Sequence, residues 1–170
     1  MFAVGDLVVY GGEGVCRVEK VGPSSLPGAD KQKLYYTLLP LYRTGQVLTP
    51  VDTRVLMRPV LTEEEAQALL EQLPTLLPEE TLPGNVRFLK EYYHRIVTGY
   101  DCAEMARLLH TLELRRRKGA AAGKRPSQMD ERYAKRAEEQ LFGELAVALG
   151  ISREDVDGYI RRRYPRWPEF

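Results

Sequence analysis

Lysine and arginine side chains give this sequence its clearest potential for ligand binding. Between Asn85 and Arg136 the sequence contains thirteen Lys and Arg but only six Asp and Glu. Cations of this kind hold phosphate groups, and such contacts add affinity without reading a base sequence. The excess predicts a surface that faces a polyanion, and a solvated charged helix face is the alternative interpretation. The candidate phosphate contacts are Arg87, Lys90, Arg95, Arg115, Arg116, Lys118 and Lys124.

Residues that could carry out catalysis are few and isolated. The two histidines, His94 and His110, lie on predicted helices without a neighbouring Cys or second His, so a surface or half-buried position is the simpler interpretation. The glycine cluster at residues 11–14 lacks the spacing of a dinucleotide site and leads into a strand. We therefore expect a protein that is not an enzyme and that has no cofactor, no metal site and no small-molecule substrate.

The two cysteines and the hydropathy pattern limit the cellular context. Cys16 and Cys102 have no partner at metal-ligand or redox-motif spacing, so buried thiols are expected. The first residues do not resemble a signal peptide, and no apolar run reaches the roughly 18 residues that a membrane span needs. These features predict a soluble, cytoplasmic protein with no membrane partner.

Short strands are predicted for residues 1–60. The opening MFAVGDLVVYGGEGV indicates a strand, a glycine-rich turn and a returning strand. Further apolar and β-branched runs follow at 34–39, 46–49 and 55–60. Pro40 and Pro50 should lie at strand ends, because proline cannot donate to a β-ladder. Short strands at this spacing predict a small β-barrel.

Helices are predicted from Leu61 onward. Thr62 and Glu65 form a capping box, so residues 61–84 should be an acidic helix followed by a Pro- and Gly-rich connector. Residues 85–170 should form a basic, all-α bundle, with Asp101, Ser127 or Asp130, and Ser152 as further caps and with a loop at 119–126. The predicted fold class is thus α+β, with a β module followed by a helical bundle.

Several segments resemble the CarD/CdnL family of bacterial transcription regulators, whose β module also occurs in transcription-repair coupling factors. The opening fifteen residues are similar to the start of that family, and segments at 33–38, 47–52 and 57–60 resemble its later strands. More loosely, residues 87–99 and 142–145 resemble two of its helical segments. The resemblance extends to about residue 150.

This resemblance implies a Tudor/SH3-like barrel that adds a strand edge to the RNA polymerase β subunit, followed by a helical domain that contacts promoter DNA without sequence readout. The resulting function would be to modulate the stability of the open complex. The residues expected to face polymerase are Tyr36, Gln46, Val47, Leu48 and Thr49.

The chain departs from the family pattern at two places. The tryptophan that acts as a minor-groove wedge in the family aligns with Asn85–Val86, and Phe88 is the nearest aromatic residue. Leu48 stands where some relatives place an arginine toward polymerase. An alternative function is therefore a protein–protein adaptor on RNA polymerase that does not contact DNA directly.

Overall fold

An antiparallel sheet of five strands makes up the N-terminal part of the chain. A computed structural model describes all 170 residues and divides them into two units, Met1–Val60 and Leu61–Phe170. The strand order is β4-β3-β2-β1-β5, so β4 and β5 form the two edges and the predicted barrel is not confirmed. The strands are β1 (Leu7–Tyr10), β2 (Gly14–Pro23), β3 (Leu34–Pro40), β4 (Val47–Pro50) and β5 (Met57–Pro59).

The first hairpin forms because glycine occupies the turn between β1 and β2. Gly12 and Gly14 have φ values of 86° and 78°, a region that side chains with a Cβ rarely adopt. The turn pairs Val9 with Val15, and the ladder continues outward to Leu7 and Arg17. The predicted hairpin is therefore confirmed.

Alternate side chains of the sheet build its core. Its members come from three strands and recur at every second residue, which is the period-two pattern of one face of a sheet. Val9 and Val15, which point to the opposite face, are buried as well. Pro40 and Pro50 end β3 and β4, as predicted. The buried core consists of Val8, Tyr10, Cys16, Val18, Tyr36 and Leu38.

Five α-helices and two short 3-10 segments make up the second unit, which confirms the α+β class. The predicted loop at 119–126 was wrong at its start, because α3 continues through Gly119 and two helix-favouring alanines to Ala121. A bundle is not confirmed as the arrangement of these helices. The helices are α1 (Glu63–Gln72), α2 (Val86–Gly99), α3 (Cys102–Ala121), α4 (Gln128–Leu149) and α5 (Val156–Arg163).

Side-chain caps begin the four longer helices. Thr62 and Glu65 form the predicted capping box at α1, and the Asp101 side chain accepts a hydrogen bond from the Glu104 amide at α3. Asn85 caps α2, and Ser127 rather than Asp130 caps α4. Each cap satisfies backbone donors that the first turn of a helix leaves without partners.

One apolar core joins the helices of the second unit. Tyr93, Met105 and Leu141 are completely buried within it, and Leu70 of α1 belongs to the same core. Residues 61–84, predicted as an acidic helix and a connector, belong to this unit. Trp167 is buried as well and packs its ring against Phe170. None of the helices is long and apolar enough to cross a membrane.

Candidate partner-binding surfaces

Strand β4 has one edge without a partner strand. It pairs only with β3, in a register that sets Thr49 opposite Tyr36 and Leu48 opposite Thr37. The backbone N–H and C=O groups on its other side therefore form no ladder within the sheet. Such an edge is a template on which an extended segment of another chain can pair.

Two of the five residues predicted to face polymerase point into the sheet core. Tyr36 is 2% exposed and its hydroxyl accepts a hydrogen bond of 2.9 Å from the Phe2 amide. Thr49 is 3% exposed and its Oγ1 accepts a bond of 3.1 Å from the Tyr10 hydroxyl. Burial keeps both side chains away from a partner, so they fix the position of β4 instead.

The other three predicted residues lie at or near the surface of β4. Gln46 and Leu48 are exposed, Leu48 by 38%, whereas Val47 is half-buried and packs against the sheet core. Leu48 also lines a shallow groove of about 290 Å³, together with Tyr35 and Thr37. An unpaired edge thus lies beside an apolar side chain and a groove that could receive side chains of a partner strand.

The edge formed by β5 is a poorer template for a partner strand than the β4 edge. It has three residues, and Pro59 lacks the amide hydrogen that a ladder requires. The Arg58 guanidinium donates to the Pro59 carbonyl oxygen at 3.0 Å, so that acceptor is already used. A short edge with proline and a charged residue resists pairing, and β4 is accordingly the better template.

Comparison with known protein families assigns this sheet. Residues 2–61 match the family model described as the CarD-like/TRCF RID domain. The first unit carries a CarD-like RNA polymerase-interacting domain. The resemblance seen in the sequence is confirmed over these residues, and RNA polymerase is the partner that the domain implies. No curated protein significantly matches the chain.

The helical unit that follows the CarD-like domain displays three of the predicted cations on α2. Arg87, Lys90 and Arg95 are all exposed. Arg87 is 3.5 Å from Glu91, but this surface pair is weak because both side chains are well solvated. The Arg95 guanidinium lies 5.5 Å from the centre of the Tyr92 ring, and Lys90 has no ion pair. Positive charge on this helix is therefore largely available.

The arginines near the end of α3 are occupied by carboxylates of the same unit. Arg115 Nε donates to Asp130 Oδ2 at 2.9 Å. Arg116 forms two hydrogen bonds with Glu113, which lies one helical turn before it. Arg117 pairs with Glu113 and with Glu169 of the C-terminal tail. The sequence-predicted cluster thus carries much less free charge than its composition indicates.

The Arg116 hydrogen bonds also shift the acidity of their acceptor. They lower the pKa of Glu113 below its ordinary value of 4.5, and Arg117 contributes in the same direction, while partial burial opposes them. Glu113 therefore stays ionised at neutral pH and neutralises its neighbours. Lys118 and Lys124, by contrast, have no ion pair.

Asp130 joins three helices in a partly buried hydrogen-bond network. Its Oδ1 accepts a bond of 2.8 Å from the Tyr93 hydroxyl of α2, while Oδ2 accepts from Arg115 of α3. Burial, followed by the hydrogen bond to Asp130, raises the pKa of Tyr93. Arg115 consequently ties α3 to α4 through the carboxylate that also accepts from Tyr93, a role that its sequence position does not reveal.

An apolar patch lies at the start of α2. Val86 is exposed, and Phe88 is 57% exposed although a phenyl ring gains by burial. Phe88, Tyr92 and Arg95 follow at helical spacing and form one stripe beside the buried face. The sequence already indicated this exposure, because Phe88 does not lie on the face of α2 that packs into the core.

The cysteines and histidines occupy positions that the structure defines individually. No set of three or more His, Cys, Asp or Glu side chains is placed to hold a metal ion. Burial raises the pKa of the Cys16 thiol to about 11, which keeps it protonated and weakly nucleophilic at neutral pH. Cys102 is also buried, as predicted. His94 is exposed and His110 half-buried, which matches the simpler interpretation of both.

Proposed function

We propose that this chain is a non-enzymatic transcription regulator that binds the β subunit of RNA polymerase through β4 and contacts promoter DNA through its helical unit. The unpaired edge of β4, within the residues that match a polymerase-interacting domain, is the observation that carries the proposal. Its effect would be to change the stability of the open complex.

Strand addition accounts for how β4 would bind. A partner segment that pairs with β4 forms main-chain hydrogen bonds, which give affinity, while Leu48 and the adjoining groove receive alternate side chains. Tyr36 and Thr49 support this arrangement from below, because their buried hydroxyls tie β3 and β4 to the N-terminus and to β1.

A matched pair of substitutions tests polymerase binding. Leu48→Glu places a charge beside the β4 edge, whereas Leu56→Glu places the same charge on a residue of equal exposure, 39%, that lies outside β4. Binding to the purified β-subunit lobe should be lost with Leu48→Glu and kept with Leu56→Glu, as measured by pull-down and calorimetry. Equal binding by both variants would contradict attachment through β4, and no binding by the unaltered chain would contradict the partner.

DNA contact is proposed for the cations whose charge is available. Lys90 and Arg95 on α2, with Lys118 and Lys124 near the end of α3, can pair with phosphates without first giving up a carboxylate. Phosphate contacts of this type are independent of base sequence. By the family resemblance, these cations would lie beside the melted region of a promoter.

Phe88 is proposed to insert at a distorted base step, in place of the tryptophan that this chain lacks. Apolar side chains that enter the minor groove unstack a step and hold the duplex bent. Phe88→Ala should therefore shorten the lifetime of the open complex. Leu77→Ala, which removes an apolar side chain that is 65% exposed, is the control and should have no effect. Equal lifetimes for the two variants would exclude the wedge.

The adaptor without DNA contact is the second candidate, and the carboxylate-paired arginines of α3 favour it. An adaptor would keep its transcriptional effect when the charges of Arg87 and Lys90 are reversed. The regulator that we propose would lose that effect, so a transcription assay with the double charge reversal separates the two candidates.

A further inference from the structure

A basic and aromatic groove lies between α1 and α5. Its volume is about 410 Å³. The residues around it are Gln67, Leu70, Tyr159, Ile160, Arg162, Arg163 and Tyr164. The sequence of three arginines at 161–163 is not used by any surface described above, and Trp167, their aromatic neighbour in the tail, is buried. Tyr159 and Tyr164 provide the rings beside them.

The three arginines of α5 differ in how their charge is used. Arg161 donates to Asp157 Oδ2 at 2.8 Å, one turn earlier in the helix. Arg162 and Arg163 are exposed and form no ion pair. Cations in the last turn of a helix interact favourably with the helix dipole. This interaction accounts less easily for two adjacent arginines without ion pairs than for a single one.

The aromatic side chains hold the groove in shape. The Tyr164 hydroxyl donates to the Leu70 carbonyl oxygen at 2.8 Å, and Gln67 Nε2 donates to the Tyr159 hydroxyl at 2.9 Å. The Arg163 guanidinium lies 5.5 Å from the centre of the Tyr164 ring, which limits the positions it can take. A cation with reduced freedom loses less entropy when it binds an anion.

We infer that this groove is a second contact for the phosphate backbone of DNA, and this rests on the proposed function of the helical unit. Two guanidinium groups match the geometry of phosphate oxygens, and adjacent rings can pack against a sugar or base. No carboxylate lines the groove. The acidic face of α1, with Glu63, Glu64 and Glu71, adjoins the groove at Gln67 and repels phosphate, so DNA would have to approach the arginines from the α5 side.

The test measures how DNA affinity changes with salt. The full chain is titrated onto a fluorescein-labelled duplex between about 50 and 200 mM salt, and the slope of log K against log salt is compared among variants. Arg162→Gln with Arg163→Gln should weaken binding and reduce the magnitude of the slope by about 1.8, since each lost phosphate contact contributes ~0.9. The control Arg17→Gln with Arg54→Gln removes two positive charges from the first unit and should leave the slope unchanged.

A second double variant separates this inference from the proposed function. Lys90→Gln with Arg95→Gln tests the α2 contacts by the same measurement. A reduced slope for the α2 variant with an unchanged slope for the α5 variant would overturn the groove and keep the proposed DNA contact. A reduced slope for the α5 variant alone would support the groove and contradict the α2 contacts. Absence of DNA binding by the unaltered chain would overturn both.

Discussion

The cations of α2 and the arginines of α3 belong to the same helical unit but differ in what neutralises them. On α2, Lys90 has no ion pair and Arg95 stacks on a tyrosine ring. On α3, Arg115, Arg116 and Arg117 are each paired with a carboxylate. The denser run of charge in the sequence therefore provides the less available charge on the surface.

The difference follows from where the acidic residues lie. Glu113 precedes Arg116 and Arg117 by three and four residues, so all three side chains share one helix face. Asp130 and Glu169 reach the same end of α3 from α4 and from the tail. On α2 the acidic partner at this spacing is Glu91, which pairs weakly with Arg87 alone. Three arginines are thus neutralised by three acids, whereas α2 keeps its charge.

Replacing Asp130 should have the largest effect, because it tests the structural role of the α3 side of the comparison. Asp130→Ala removes the acceptor of the buried Tyr93 hydroxyl and of Arg115. Leaving a buried hydroxyl without a partner should lower the free energy of unfolding by about 2 kcal/mol. Urea denaturation measures this, with the exposed neighbour as control: Glu131→Ala should change the free energy by less than ~0.5 kcal/mol. Equal stabilities of the two variants would show that the network does not hold α2 in place.

Removing lysines and arginines near the end of α3 should have an intermediate effect that separates free from paired charge. Lys118→Gln with Lys124→Gln should weaken binding to duplex DNA, because neither lysine has an ion pair. Arg116→Gln with Arg117→Gln removes the same formal charge, but these guanidinium groups already pair with Glu113 and Glu169, so fewer phosphate contacts should be lost and affinity should fall less. Fluorescence anisotropy at low salt compares them. A greater loss of DNA affinity for the arginine variant than for the lysine variant would contradict the distinction between paired and unpaired charge.

Acid should produce the smallest effect, through Glu113. Its pKa is lower in the folded chain than its ordinary value of 4.5, so its ionised form stabilises the fold above that pH. This contribution is lost as the pH falls below 4.5 and through the folded pKa. Glu113→Gln should therefore be slightly less stable than the unaltered chain at neutral pH and should lose less stability on acidification. Thermal midpoints measured from pH 7 to pH 3 test this, and parallel curves for the two proteins would contradict it.

Local features of this fold were predictable from the sequence. The glycine turn, the strand-ending prolines and the caps at Thr62 and Asp101 each depend on residues a few positions apart. The exposure of Leu48 and the burial of Tyr36 also follow a local alternation along their strands, although the predicted site placed both residues at one surface. The polymerase-interacting domain was recognised from its opening residues for the same reason.

Pairings between distant segments were not predictable. Whether the sheet closes depends on contacts between strands far apart in sequence, and the edges formed by β4 and β5 appear only in the structure. Asp130 neutralises Arg115 from fifteen residues away, and Glu169 reaches Arg117 across 52 residues. A charge run read along the chain contains no information about such partners, so the fold was needed to tell the paired cations from the unpaired ones.

The lifetime of the open complex tests whether the α2 cations, and not the paired arginines of α3, act on the promoter. Polymerase is bound to a promoter fragment, and the decay of the complex after addition of a competitor is followed with the unaltered chain, with Lys90→Gln/Arg95→Gln and with Arg116→Gln/Arg117→Gln. The account predicts that the unaltered chain changes the lifetime, that the α2 variant loses this effect and that the α3 variant keeps it. An α2 variant that changes the lifetime as the unaltered chain does would contradict this prediction. The contradiction would be strongest if the α3 variant also lost its effect.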